Sequence, residues 1–242
     1  MVSKNQIKLI TSLQQKKYRK QQGLFIAEGA KVIQELLEFN FELELLFVTE
    51  DIFLEVPAPK RNLTDDASLK KITALTTANN CLAVFKIPVK KETIAQEGLI
   101  IALDDIRDPG NMGTIMRLCD WFGIKQIVCS EQTVDIYNPK VVQATMGSIA
   151  RVNVTAVDLN DFLKTTQLPV FGTFMDGDSI YQQKLPSEGI IIMGNEANGI
   201  SKSVEDLISH RLTIPRFGDL QQTESLNVAT ATAIILSEFR RN

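Results

Sequence analysis

Histidine is almost absent from this chain: His210 stands alone among 242 residues, beside three cysteines (Cys81, Cys119, Cys129) and one tryptophan. No CxxC or HxxxH spacing occurs, which argues against a zinc site built from several Cys and His ligands, and no metal is expected. Serine–histidine catalysis would rest on His210 alone and is set aside. An odd, unpatterned cysteine count fits a reducing compartment, so a cytoplasmic protein is expected. Long apolar runs are missing too. The N-terminal MVSKNQIKLITSLQQKK has no continuous apolar stretch, so neither a signal peptide nor a membrane span is expected. Net charge is also small, 26 basic against 29 acidic side chains. Attraction to nucleic acid therefore has to be sought segment by segment.

With 44% apolar and 23% charged residues the chain reads as globular, long enough for one large domain or a small one joined to a medium one. Its character changes near residue 90. Residues 1–31 hold seven cations (Lys4, Lys8, Lys16, Lys17, Arg19, Lys20, Lys31) against Glu28, whereas residues 32–66 carry nine acids against Lys60 and Arg61. The basic stretch reads as a helical arm with Ile7, Ile10 and Leu13 at helical spacing. A strand over 24–27, a helix over 30–39, a strand over 43–48, a short helix near 67–74 and a strand over 81–85 make a small α/β unit. Residues 87–97 carry Pro88, Lys90 and Lys91 without apolar period and are expected to be a linker. From Gly98 onward, strand-length apolar runs at 99–103, 126–129, 152–157, 170–174, 189–193 and 211–214 recur. Helical patterns at 112–122, 138–145, 158–165 and 225–239 separate several of them. Such alternation predicts a mostly parallel sheet covered on both faces. The expected domains are 1–95 and 96–242.

Open α/β sheets bind ligands beyond the carboxyl ends of their strands, so the loops there are the candidate site. The first, Asp104 to Gly113, leads into a helix with Met112, Ile115, Met116 and Cys119 on its apolar face, Asn111 as its expected N-cap and Arg117 off that face. Arg117 reads either as a solvated arginine or as a fixed cation aimed at a phosphate or hydroxyl oxygen. The second, Gly194-Asn195-Glu196-Ala197-Asn198-Gly199-Ile200-Ser201, falls one residue short of a P-loop: Ile200 stands where the phosphate-binding lysine belongs. Its glycines suggest a backbone brought close to a ligand. The third, Ile214 to Val228, enters a final helix rich in Ala and Thr, with Ser225 as the expected cap and Asn227 expected to be buried and in need of an amide partner.

Taken in order, N-x-G-x-x-x-R (Asn111, Gly113, Arg117), the strand followed by GNExxGIS (Gly194 to Ser201) and IP…SLNV (Ile214 to Val228) resemble the three motifs of the SpoU/TrmH family. These are S-adenosylmethionine-dependent RNA 2′-O-ribose methyltransferases. The front part, through Ile10, Ser12, Lys17, Arg19 and the Phe25–Gly29 strand end, resembles the family's L30e-like substrate-binding domain. The resemblance implies a parallel α/β sheet ending in a deep trefoil knot, an exception among proteins, and a homodimer packed through the knotted domain. It also implies catalytic roles for Arg117, Asn111, Glu196, Ser225 and Asn227. S-adenosyl-L-methionine would be held at Gly194, Ile214 and Leu226, with Thr173 a further candidate. RNA would be gripped by Lys16, Lys17, Arg19 and Lys20. Between Pro215 and Ser225 the third motif is longer than in the shortest members, and Arg216 replaces a commonly apolar residue. A separate basic front domain favours ribosomal over transfer RNA. The competing readings are an inactive RNA-binding protein on the same fold and a P-loop-like nucleotidase.

Overall fold

The computed structural model describes residues 2–89, 94, 97–218 and 225–241. Most of the expected linker positions (90–93, 95, 96) and loop residues 219–224 lie outside them. The chain forms two compact units, Met1–Lys91 with Asp135–Arg151, and Glu92–Val134 with Val152–Asn242. A contiguous division at residue 95 does not describe them, because Asp135–Arg151 packs with the N-terminal unit.

In the first unit the expected single arm is two helices, α1 (Lys4–Ser12) and α2 (Lys16–Gln22). Ser3 opens α1 with a capping box: its hydroxyl accepts the Gln6 N–H while the Gln6 side chain accepts the Ser3 N–H. The helix stops at Leu13, and Arg19 of α2 turns back to donate to the Leu13 carbonyl at 2.8 Å. Gly23, at φ +65°, ends α2 and starts β1 (Leu24–Glu28). The unit continues through α3 (Ala30–Glu38), β2 (Leu43–Val48), β3 (Arg61–Leu63), α4 (Asp66–Leu69) and β4 (Cys81–Lys86). Its sheet order is β1-β4-β2-β3, with β4 antiparallel to both neighbours and β3 parallel to β2. Ile10, Leu13, Ile26, Phe47, Leu69, Ile72, Leu82 and Val84 form a shared core, each contributing about 1.5–3 kcal/mol on burial. Two expectations differ. The helix near 67–74 is a single turn, and β3 has no apolar alternation to announce it; pairing with Leu46–Val48 makes it a strand.

The second unit contains β5 (Leu99–Leu103), α5 (Pro109–Trp121), β6 (Gln126–Cys129), β7 (Asn153–Ala156), α7 (Leu159–Thr165), β8 (Val170–Ser179), β9 (Gly189–Met193), α8 (Lys202–Glu205), β10 (His210–Thr213) and α9 (Val228–Phe239). Between β6 and β7 the chain passes through the first unit as α6 (Pro139–Thr145) and a 3-10 turn, Ser148–Ala150. There Tyr137 packs on Phe25 with ring centroids 4.7 Å apart, Asp135 pairs with Arg19, and Arg151 pairs with Glu35.

All six strands of the second sheet are parallel, in the order β10-β8-β9-β5-β6-β7. The central strands, LIIAL and GIIIM, are buried throughout, as strands covered on both faces must be. From β5 the chain proceeds to β6 and β7 on one side; β9, β8 and β10 lie on the other. The order therefore reverses between β5 and β9, which places a ligand crevice at their carboxyl ends. From that end emerge the loops after Leu103 and Met193, and the Asp104 N–H donates to the Met193 carbonyl at 2.9 Å. The strand expected at 170–174 runs on to Ser179; its register against β10 breaks at Arg211/Leu212. α9 packs against α5, with Ala229 and Thr232 buried on its inner face.

Candidate active site

Helix α5 is capped by Asp108, whose carboxylate accepts the Asn111 N–H at 2.8 Å, with Pro109 in the first turn. Local sequence alone points to Asn111 as the cap, three residues too late. Asp-Pro fits the cap and first helical position better, because proline there lacks only an N–H that would have no helical partner. This leaves the Asn111 side chain available for other bonds. Met112, Ile115, Met116 and Cys119 are buried as the apolar face requires, and Arg117 is exposed.

The loop after β9 is folded on itself. Asn195 and Gly199 exchange backbone hydrogen bonds of 2.9 Å in both directions. The Asn195 carboxamide oxygen accepts the Ala197 and Asn198 N–H groups at 2.9 and 3.0 Å, and its nitrogen donates to the Asp105 carbonyl at 2.7 Å. Asp104, only 6% exposed, accepts the Ser201 N–H at 2.7 Å. A Cβ on Gly194 would sit 2.4 Å from the Gly199 carbonyl carbon and the Ile200 nitrogen. The close approach that Gly194 permits is thus to the loop's own backbone. Only a single helical turn, α8, follows, and Ile200 occupies the lysine position. A triphosphate-binding P-loop has neither its cation nor its helix here.

Asn227, not Ser225, caps α9: its oxygen accepts the Ala229 and Thr230 N–H groups at 2.9 and 3.2 Å. The helix starts at Val228, so Ser225 lies too far upstream to serve as cap. Asn227 is exposed rather than buried, and its amide does find a partner. Because the cap engages its oxygen, its nitrogen must point outward, and it donates to Asn111 Oδ1 at 2.9 Å. That fixes the Asn111 amide in turn, which donates through Nδ2 to Glu196 Oε1 at 2.9 Å. A one-way chain of donors therefore runs from the start of α9 through the first turn of α5 to the Glu196 carboxylate.

A cavity of about 760 Å³ opens at these strand ends, lined among others by Thr173, Gly194, Glu196, Ile214, Ser225 and Leu226. Met193, Ile200, Leu212, Val228 and Ile235 give it an apolar floor. Thr173 also donates to the Ile192 carbonyl at 3.1 Å. Arg117 is outside the lining, and Asn111 and Asn227 reach the rim through Glu196. In the first unit Lys16, Lys17 and Lys20 are exposed on α2, but Arg19 is not. It is 2% exposed, donates through Nε and Nη2 to Asp135 at 2.9 and 2.5 Å, and caps Leu13. A guanidinium engaged in this way is not presented to RNA, so Arg19 serves the fold of the first unit and not the RNA contact expected of it. Asp104 and Asn195 went unrecognised in the sequence; their partners lie about ninety residues away and no local pattern reports them. Among the described residues no group of three or more His, Cys, Asp or Glu is placed to hold a metal, and no helix is long and apolar enough to cross a membrane.

A parallel sheet with a cavity at its switch point, floored by aliphatic side chains and edged by a held carboxylate, is the arrangement in which α/β proteins bind small ligands. Comparison with known proteins makes the class particular. Residues 98–237 match the SpoU rRNA methylase family, and residues 4–83 match an MRM3-like substrate-binding domain. The chain is 30% identical to the Bacillus subtilis 23S rRNA (guanosine(2553)-2′-O)-methyltransferase RlmP, over 98% of this chain and 97% of that protein. A putative RNA methyltransferase of the TrmH family from Porphyromonas gingivalis superposes with a TM-score of 0.89 at 40% identity, covering 100% of this chain and 99% of the other. An AdoMet-bound rRNA methyltransferase from Sinorhizobium meliloti gives 0.87 at 27%, covering 100% and 97%. The chain belongs to the SpoU rRNA methylase family.

Proposed function

We propose that this protein transfers a methyl group from S-adenosyl-L-methionine to a ribose 2′-hydroxyl of ribosomal RNA. The observation that carries the reading is the donor chain Asn227–Asn111–Glu196 at the rim of the cavity. It joins residues of all three motifs around one carboxylate, with Glu196 itself also facing the cavity.

The cavity fits the cofactor. Its volume lies in the range of about 300–1,000 Å³ used by small-molecule sites. Its aliphatic floor suits an adenine, and a carboxylate at its edge suits a cationic sulfonium. Thr173, Gly194, Ile214 and Leu226 would hold it, largely through backbone groups, and once bound it supplies an electrophilic methyl group. The chain's own residues do the rest. Asn111 and Asn227 hold Glu196 with one oxygen occupied and the other open to a substrate hydroxyl. Glu196 takes the hydroxyl proton. Arg117, a permanent cation, clamps an RNA phosphate and stabilises charge developing on the ribose oxygen; its guanidinium stays protonated and is not the base. Ser225 lines the same edge.

Lys16, Lys17 and Lys20 supply phosphate contacts from the first unit, which serves as the substrate-binding domain; the second is the methyltransferase domain. We further propose that the C-terminal helix is threaded as a trefoil knot, that the enzyme works as a homodimer through this domain, and that it acts in the cytoplasm. The test is transfer of labelled methyl from S-adenosylmethionine to unmodified 23S rRNA transcript. The expected product resists alkaline cleavage at one internucleotide bond, because that cleavage needs a free 2′-hydroxyl. Label appearing on a base, or none at all, would overturn the assignment.

A further inference from the structure

Arg107 belongs to neither of the roles described so far. It is 69% exposed, in the loop that leaves β5 one position before the α5 cap. We propose that Arg107 is a phosphate-binding side chain that seats the RNA backbone at the mouth of the site, held in position by Asp105. The inference rests on the RNA-methylating reading and adds a contact to it.

Asp105 is a non-glycine residue at φ +58°, a backbone conformation that persists where the surroundings enforce it. Here the surroundings grip its main chain. The Asp105 N–H donates to Ser130 Oγ at 2.9 Å, and its carbonyl accepts from Asn195 Nδ2 at 2.7 Å. The turn is therefore pinned without the Asp105 side chain, whose carboxylate instead carries Arg107: Nε meets Oδ1 at 2.9 Å and Nη2 meets Oδ2 at 2.9 Å. This fork uses one edge of the guanidinium. The second edge, Nη1 and Nη2, is the geometry that takes two oxygens of a phosphodiester.

A solvent-exposed pair of this kind contributes little stability, so fold stability does not account for it. Charge gives a better reason. Glu196 lines the cavity; Asp108 is joined to it through Asn111, and Asp105 through Asn195, the residue before Glu196. A polyanion approaching three carboxylates needs a cation there, and Arg107 is a rigidly held one on the loop that Asn195 ties to the Glu196 turn.

The experiment compares wild type with Arg107→Ala, Arg107→Lys and Asp105→Asn on unmodified 23S rRNA transcript, over a salt series. S-adenosylmethionine affinity by calorimetry serves as the check on folding. For Arg107→Ala the RNA KM should rise about tenfold, the loss of one charged hydrogen-bonded contact. The slope of log KM against log salt should fall by roughly 0.7–0.9, with cofactor affinity unchanged. Arg107→Lys should keep the slope and lose only part of the affinity. Asp105→Asn makes the rim more positive yet releases the fork; a KM that rises a few-fold supports positioning, and one that falls overturns it. An unchanged salt slope in Arg107→Ala, in an active wild-type background, would overturn the phosphate contact alone. A wild type that transfers no methyl group would instead overturn the functional reading beneath it.

Discussion

Two arginines on helices, Arg19 of the first unit and Arg117 of the second, look alike in sequence and differ completely in the fold. Arg19 is enclosed, its guanidinium divided between Asp135 and the Leu13 carbonyl. Arg117 stands exposed on α5, near a rim where Asn227, Asn111 and Glu196 hold one another but remain at the surface. The contrast extends to the units themselves. Buried Glu28 of the first is committed to holding it together, its carboxylate accepting from Thr73 and Ala74. The polar groups at the rim of the second are fixed in direction with bonding capacity left over. Fixed direction with open valence is what a catalytic site requires.

The same substitution at both arginines should have opposite consequences. Arg117→Lys keeps a cation but removes the planar fork, and should lower kcat by at least about 100-fold with the melting temperature unchanged. Arg19→Lys should lower stability by about 2 kcal/mol, because lysine cannot serve Asp135 and Leu13 together in a buried setting. Methyl transfer per folded molecule should be preserved. Denaturant titration and single-turnover kinetics measure the two. If Arg117→Lys turns over at near-normal rate, no planar bidentate cation is needed; if Arg19→Lys is as stable as wild type, burial is not what commits that side chain.

The next effect concerns the exposed cations beside Arg19. Replacing Lys16, Lys17 and Lys20 together by alanine should weaken RNA binding and reduce its salt slope by roughly 2, at about 0.7 per phosphate contact on single strands. Cofactor affinity should persist, which calorimetry checks. Equal loss of both would remove the division of labour between the units. An unchanged slope would return these lysines to the status of a solvated helix face.

Much of the fold was legible because apolar runs of strand length are hard to misread: 43–48, 99–103, 126–129 and 189–193 coincide with observed strands. β3 was not legible, since its three residues carry no pattern and become a strand only by pairing. Caps were misplaced by a few residues, at Asn111 for Asp108 and at Ser225 for Asn227. Several adjacent polar residues can each cap a helix, and only the three-dimensional turn chooses among them. At the site, short-range motifs marked the right loops. What they could not carry was distance: Asn111 to Glu196 spans 85 positions and Asn227 to Asn111 spans 116. The burial of Arg19 has the same origin, since its partner Asp135 is 116 residues away.

The smallest effect tests whether Glu28 is committed in the way the first unit suggests. Burial raises the pKa of its carboxyl, while the Thr73 and Ala74 bonds oppose that shift only in part. The sign follows from which state holds the proton. Below the unfolded carboxylate value, both states are protonated and Glu28 adds no pH dependence. As pH rises, the unfolded chain ionises first, so stability falls until the folded group has ionised as well, and the deficit then stays constant. Relative to Glu28→Gln, the wild type should therefore lose unfolding free energy from about pH 4 upward and then level off. Urea denaturation of both proteins across pH 4–8 measures the difference. A gap that moves in favour of the wild type with rising pH would mean that the Thr73 and Ala74 hydrogen bonds outweigh desolvation at Glu28.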